Sequence, residues 1–408
     1  MPRQKEDPPM PNESGTQDHE SAEAVESTPS TPDIDEQPFL DATSDAKSRY
    51  GRFNLAVIGG SGVGKSSLVN AVFGRDWAKT GKGLPVTRGV QYFNDDSLGI
   101  WDVEGFEIGS QLRPREQLKN HLAAIAKHDA DRQIAVVWYC VKATDDRLTP
   151  ADIEMIRELD DEGLPVILVV TKVDWGPRNP ITGNRSVPKG VEEFVEWLQN
   201  PVDENDVALN IPYRCVILTS TRDRNGKESK HGLGELVAET LALAPEDEKD
   251  AFRIAQRLNL PWKRDMARTV VAAASATAAG AAAVPVPVAD AAVLAPIQLG
   301  MMGRIATIYD LEIKTMLSAG ALAQVGVQLA GRALASSLFK LIPGAGSVIN
   351  AGVAAALTAA TGEGWTRLCE QVHTGKIELD KVNDSVGDFV PGFLDVIRKM
   401  AEQKVSRS

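Results

Sequence analysis

The stretch GGSGVGKS at residues 59–66 follows the apolar run FNLAVI directly and runs straight into SLVNAVF. No other segment restricts the fold so tightly. A β-branched apolar run, a glycine-rich turn and a helical pattern in that order are the context in which G-x-x-x-x-G-K-S cradles phosphates. Glycines let the backbone turn sharply enough for successive N–H groups to face phosphate oxygens. The helix beginning near Lys65 adds the positive end of its dipole. The nucleotide-contacting set here is Gly59, Ser61, Gly62, Val63, Gly64, Lys65, Ser66 and Ser67. In it Lys65 reaches the β- and γ-phosphates, and the Ser66 hydroxyl is placed to ligate Mg²⁺. The motif specifies a nucleoside triphosphate and leaves the base open.

The base is addressed further along. VILVVTKVD at 166–174 is an apolar strand pattern ending in T-K-x-D, and ligands of open parallel sheets bind beyond the carboxyl ends of strands. A carboxylate at Asp174 accepts two hydrogen bonds from N1–H and the exocyclic amine of guanine, a donor pair that adenine lacks. The stem of Lys172 can lie along the purine face, with Thr171 at the strand end. Between these motifs, LGIWDVEG at 98–105 is a strand pattern ending in D-x-x-G. Asp102 is the expected Mg²⁺ partner through water, and the Gly105 N–H the expected γ-phosphate contact. LPVTRGV at 84–90 puts Thr87 where a mobile loop brings its hydroxyl to Mg²⁺. YRCVILTSTR at 213–222 ends in Ser220 and Thr221, whose N–H groups are candidates for the guanine carbonyl.

Five motifs in this order resemble the GTPases of the translation-factor-like class, more narrowly the Era-like and septin-like branches, over about residues 50–245. GLGELVAETL at 232–241 resembles the closing helix of Era-like G domains, and WDVEGFE is similar to its counterpart in immunity-related GTPases and their bacterial relatives. The resemblance implies binding of GTP and GDP with Mg²⁺, GTP hydrolysis, and loops that switch between two states. Lys65, Thr87 and Gly105 are the catalytic candidates it carries over. One departure matters. The best-known small GTPases follow D-x-x-G with a Gln that orients the attacking water, whereas Phe106 stands here. Slow intrinsic hydrolysis is expected, or completion of the site by another residue, a partner or a second copy across the nucleotide faces. Gly62 occupies the position where some Era-like relatives hold K⁺ with an Asn, so K⁺ activation is not expected. Arg88 reads equally as an internal charge stabiliser or as a solvated arginine.

The 408 residues are enough for two domains with real cores. A net charge of −12 and a pI near 5.1 argue against nucleic acid as a partner. Cys140, Cys215 and Cys369 are scattered and read as packing residues in a reducing compartment. Residues 1–48, rich in Pro, Ser, Glu and Asp, are expected to be disordered and carry no secretory pattern. Residues 49–245 read as a doubly wound, mostly parallel α/β sheet. Strands are expected near 53–58, 90–95, 98–102, 134–141, 165–170 and 213–219, and helices over 65–73, 114–128, 150–160, 189–199 and 233–243. QYFN, DDS and LGIWD form a hairpin that places one antiparallel strand on the sheet.

From 246 to 408 an all-α, Ala/Gly-rich hydrophobic domain is expected, opening with an amphipathic helix over 246–268. Residues 269–289 carry no charge, and a second uncharged run covers 341–362. Each approaches the roughly 20 apolar residues that cross a bilayer. Lys263, Arg264, Arg268 and Lys340 flank them. That favours shallow or re-entrant contact through 269–303 and 341–362 at the inner face of a membrane of a cytoplasmic protein. A soluble helical bundle with an Ala-rich core is the alternative. Residues 266–310 are similar to a C-terminal hydrophobic domain of unassigned function found on certain bacterial Era-like GTPases.

Overall fold

A computed structural model describes residues 35–74, 84–87, 89–104, 113–177, 180–181, 185–222, 226–282, 290–311 and 347–377. Seven strands make the main sheet: β1 (Phe53–Gly59), β2 (Leu84–Thr87), β3 (Val90–Asn94), β4 (Leu98–Glu104), β5 (Val136–Lys142), β6 (Val166–Thr171) and β7 (Cys215–Leu218). Their order is β2-β3-β4-β1-β5-β6-β7. β1 pairs in parallel with β4 and β5, and β6 lies between β5 and β7 in the same sense. β2 and β3 are antiparallel to their neighbours. The sheet is therefore parallel except at one edge, as expected of a doubly wound α/β domain.

Burial on both faces explains the strand sequences. All seven residues of β1 and all six of β6 are buried, as near-continuous apolar runs require when helices cover both sides of a parallel sheet. α2 (Lys65–Phe73) and α6 (Leu233–Leu243) cover one face. α3 (Pro114–Ile125), α4 (Pro150–Asp161) and α5 (Lys189–Gln199) cover the other. Local signals fix their ends: Thr149 caps α4 by accepting the Asp152 N–H, with Pro150 as the first helical residue.

Two boundaries differ from expectation. The tail expected to be disordered to residue 48 contains α1 (Gln37–Tyr50), while residues 1–34 lie outside the described residues. Phe39, Ala42, Thr43 and Ala46 recur at helical spacing and are buried, a short stripe lost within a polar composition. Second, the helix expected over 246–268 is broken: α7 (Lys249–Ala255) ends and α8 (Leu260–Ala282) begins, with Pro261 in its first turn. The expected domain boundary at 245 falls between α6 and α7. Ala251, Phe252 and Ala255 of α7 pack with β1, α2 and α6.

The helical region continues with α9 (Asp290–Ile308) and α10 (Ser347–His373). α1 joins it: Phe39 is fully buried with Leu299, Met302, Ile305 and Trp365. At Gly303 of α9 a Cβ would stand 2.5 Å from the Phe39 carbonyl oxygen, so only glycine lets the α1 and α9 backbones approach that closely. Among the described residues no helix is long and apolar enough to cross a membrane; residues 283–289 of the first uncharged run and 341–346 of the second lie outside them.

Candidate functional site

β1 ends at Gly59, where a Cβ would lie 2.4 Å from the Cys140 carbonyl oxygen of β5. The neighbouring strand leaves no room for a side chain at the start of the glycine-rich turn. The turn tucks Val63 into the core and passes through Gly64 at φ 114° before α2 begins. Lys65, buried in the first turn of α2, folds back over the loop: its Nζ donates to the Gly59 carbonyl at 2.8 Å. The same Nζ stands 3.9 Å from Oδ1 of Asp102. β4 delivers that carboxylate, because its register beside β1 puts Asp102 opposite Val57. Ser61, Ser66 and Ser67 are exposed on the same rim.

β6 supplies the second half of the site. The Thr171 hydroxyl lies 2.6 Å from the Val63 carbonyl and 3.1 Å from that of Val141. Lys172 adopts φ 56° and its Nζ donates to the Gly62 carbonyl at 2.5 Å. The first two residues of T-K-x-D are thus bonded to the turn a hundred residues earlier, and Asp174 projects to solvent beside them. The Val173 N–H donates to the Thr219 carbonyl at 3.1 Å, which brings Ser220 to the same edge.

Ser220 opens a hairpin the sequence reading missed. β8 (Ser220–Arg222) pairs with β9 (Glu228–His231), setting Ser220 opposite His231. Ser220 is buried and its hydroxyl donates to the Arg222 carbonyl at 2.5 Å; Thr221 is half-buried. The His231 ring lies 5.6 Å from that of Trp175, so an aromatic contact joins the hairpin to the residue after Asp174. Burial, with the Arg185 charge added, holds the His231 imidazole below its usual range. A ring directly after T-K-x-D was the available sequence signal, and it is a weak one.

Of the remaining expected site residues, only Thr87 is among those described. Thr87 ends the edge strand β2, where its backbone pairs with Val90, rather than lying in a free loop. Pairing with β3 claims the backbone there, and the register shifts between Pro85 and Thr87. Gly105, Phe106 and Arg88 lie outside the described residues. Cys140 and Cys369 are buried and Cys215 is partly so, all as free thiols. Burial pushes the Cys140 thiol up to about 12, against the opposing pull of Lys65. It is thereby kept as an inert packing group.

Residues 54–172 match the family model described as 50S ribosome-binding GTPase. Residues 247–392 match one described as a domain of unknown function (DUF697). The chain is 32% identical over 130 residues to the probable GTP-binding protein EngB of Aquifex aeolicus (strain VF5), covering 31% of this chain and 69% of that protein. It is 32% identical over 155 residues to the EngB protein of Streptococcus pyogenes serotype M28 (strain MGAS6180), covering 36% and 76%. It is 35% identical over 144 residues to GTPase Der of Syntrophotalea carbinolica (strain DSM 2380 / NBRC 103641 / GraBd1), covering 34% of this chain but only 31% of that longer protein. A crystal structure of a probable GTP-binding protein engB aligns at 20% identity with a TM-score of 0.29, over 49% of this chain and 98% of that one.

Proposed function

Since the chain belongs to the GTP-binding P-loop GTPase family, we propose that it binds GTP and GDP with Mg²⁺, hydrolyses GTP slowly, and uses its nucleotide state to set the arrangement of its helical region at a membrane surface. The observation that carries the nucleotide reading is the bonding of T-K-x-D to the phosphate loop. Thr171 and Lys172 reach the carbonyls of Val63 and Gly62, so the base-reading residue Asp174 is held in fixed relation to the phosphate cradle. Gly59, Ser61, Gly62, Val63, Gly64, Lys65, Ser66 and Ser67 are the proposed phosphate contacts, and Ser220 and Thr221 the proposed contacts to the guanine carbonyl.

The oxygen donors present suit Mg²⁺. This small, hard cation takes hydroxyl, carboxylate and phosphate oxygens and keeps several waters, so it needs no cage of protein ligands. Ser66, Thr87 and Asp102 would hold it, and it would neutralise charge on the phosphates. Lys65, buried and aimed over the turn, supplies the protein's own positive charge there. With Phe106 after Gly105 the chain offers no amide to orient water at that position. This is why turnover is proposed to be slow, or to be completed by a partner or a second copy.

The membrane reading rests on α8. Thr269, Ala272, Ala273, Ala276, Thr277 and Gly280 are exposed and uncharged along one helix, preceded by Arg264, which pairs with Glu370, and by the exposed Arg268–Asp265 pair. Such a surface suits contact with headgroups better than a crossing. A second reading, a nucleotide-gated scaffold with a soluble bundle, draws on the bundle's own core around Tyr309, Trp365 and Leu368. Liposome flotation of the full chain with GDP and with a non-hydrolysable GTP analogue separates the two. Flotation that depends on the nucleotide supports membrane control, and no flotation in either state favours the scaffold.

A further inference from the structure

We propose that α7 and the turn after it form the joint through which the nucleotide site and the helical bundle read one another. This rests on the nucleotide reading above and adds the residues that transmit it. The phosphate loop is carried by β1 and α2, and the far ends of both meet one side chain. Phe252 of α7, fully buried, stands edge-on to Phe53 at 4.8 Å and to Phe73 at 6.3 Å. Just beyond, the Arg257 N–H donates to the Val72 carbonyl at 2.9 Å, in the last turn of α2. The Arg257 stem lies over Gly74, the residue that ends α2, where a Cβ would sit 2.2 Å from Arg257 Cδ. Strand, loop and helix are thereby closed at their far end by residues 252–257.

The joint has little slack. Gln256 is fully buried, and its amide is used on both sides. Its oxygen accepts the N–H groups of Leu258 and Asn259 at 2.9 and 2.7 Å. Its nitrogen donates to the carbonyls of Arg253 and Asn259 at 3.2 and 3.1 Å. On the bundle side, Lys263 of α8 is also fully buried. Its Nζ donates to the Ile254 carbonyl in the last turn of α7 and, at 3.0 Å, to the Ile308 carbonyl at the end of α9. Carbonyls at helix C-termini lack intrahelical partners and carry partial negative charge. An amine set between two such ends ties the helices together.

The bundle grips the phosphate loop from the other direction too. α9 packs against α1 at Gly303, and α1 leads through Gly51 and Arg52 into Phe53. Both the entry to β1 and the exit from α2 are therefore anchored in the same set of helices. A displacement of α2 when phosphates fill its N-terminus must move Phe73 against Phe252. Close-packed contacts answer such a shift by moving as a unit rather than by deforming. The coupling is reciprocal, so the bundle's arrangement must in turn alter nucleotide affinity. Arg257 and Lys263 are positioning residues in this scheme.

The test is hydrogen exchange of the full chain with GDP and with a non-hydrolysable GTP analogue, together with release rates of a fluorescent GDP analogue. In the wild type, protection over 290–308 is expected to differ between nucleotides. Lys263→Met keeps the stem and removes the amine. It should still bind both nucleotides, with the ratio of their affinities shifted, while the α9 difference shrinks about fivefold or more. Arg257→Ala should speed release about fivefold or more well below the melting temperature, with Arg257→Lys restoring most of it. Lysine keeps the aliphatic stem over Gly74, so rescue assigns the change in release to that contact, and an α9 nucleotide difference that stays at the wild-type value in Arg257→Ala would mark it as local packing only. An unchanged α9 difference in Lys263→Met, or wild-type release from Arg257→Ala, overturns the joint. If Lys263→Met does not fold, the Arg257 pair decides. A wild type that binds both nucleotides with no α9 difference also overturns it, whereas one that binds neither removes the nucleotide reading itself.

Discussion

The sheet domain and the helical bundle fill their interiors by different means. The sheet domain buries Trp101, Trp138, Tyr92, Tyr139, Phe53 and Phe73 almost completely. The bundle relies on Ala267, Ala306, Ala354 and Ala360 around a few large residues. Bulky side chains on a pleated sheet fix its register, because a one-residue slip turns every side chain to the wrong face. In the bundle, polar ties add to the apolar packing of Phe39, Ile305, Tyr309 and Trp365: Trp365 Nε1 to the Met302 carbonyl at 2.9 Å, Arg304 to Asp45 at 3.2 Å, Arg264 to Glu370, and the buried Lys263. The contrast can be broken at several points.

The largest effect should come from Lys65. Lys65→Ala removes the charge that the phosphate turn is built around, and truncating one partner of such a contact costs about 100-fold or more in affinity. Titration with a fluorescent GTP analogue measures it, and tight binding by the variant would remove the site assignment. Next is the contrast in packing. Trp138→Ala deletes a fully buried indole whose Nε1 donates to Thr240 Oγ1 at 2.9 Å, and about 3–5 kcal/mol of stability should go with it. Ala360→Gly, also buried, should cost about 1 kcal/mol through helix propensity alone. Thermal melts of the two variants compare them directly. Equal losses would mean that the bundle is packed as specifically as the sheet.

Asp174→Asn sharpens the comparison from the ligand side. A carboxylate that accepts two donors from guanine leaves them unmatched when it becomes an amide, and preference should move to xanthine nucleotides by about 100-fold. Competition between GTP and XTP reads this out. Asp174 is exposed at the rim, and a melt of the variant checks that its fold is kept. Unchanged preference would mean that the base is read elsewhere.

Sheet and bundle also differ in how legible they are in sequence. The helices expected at 65–73, 189–199 and 233–243 match α2, α5 and α6 end to end. Their limits are set by local features such as the glycines at Gly64, Gly74 and Gly232. The strands are legible because their apolar runs are short and punctuated. α1 was not, since the four residues it buries make sense only against α9. That α7 also packs on the sheet is not legible, because its partner Phe53 lies about two hundred residues away. In the site, motif spacing singles out Gly59, Lys65, Asp102 and Lys172, which the structure brings together. Spacing does not reveal that Lys172 bonds the phosphate turn or that His231 meets Trp175, because both depend on loops that converge only in the folded sheet.

The smallest expected effect concerns Glu248, which stands just before α7 at the entrance to the joint. Burial pushes its carboxyl up from 4.5 to about 7; Asp247 adds to the rise, and the Asn54 N–H donating to it works the other way. A carboxyl raised in the folded state holds its proton there after the unfolded chain has lost it. Its contribution to stability is therefore intact below pH 4.5 and declines as pH rises through about 7. Glu248→Gln keeps the shape of the protonated acid and cannot ionise. The melting temperature of the variant relative to wild type should then be higher at pH 8 than at pH 4.5, with most of the change falling between 4.5 and about 7. A relative melting temperature that falls over that interval would mean that the carboxylate form is the one the joint prefers. Glu248 would then be an anchor for the Asn54 backbone rather than a buried acid.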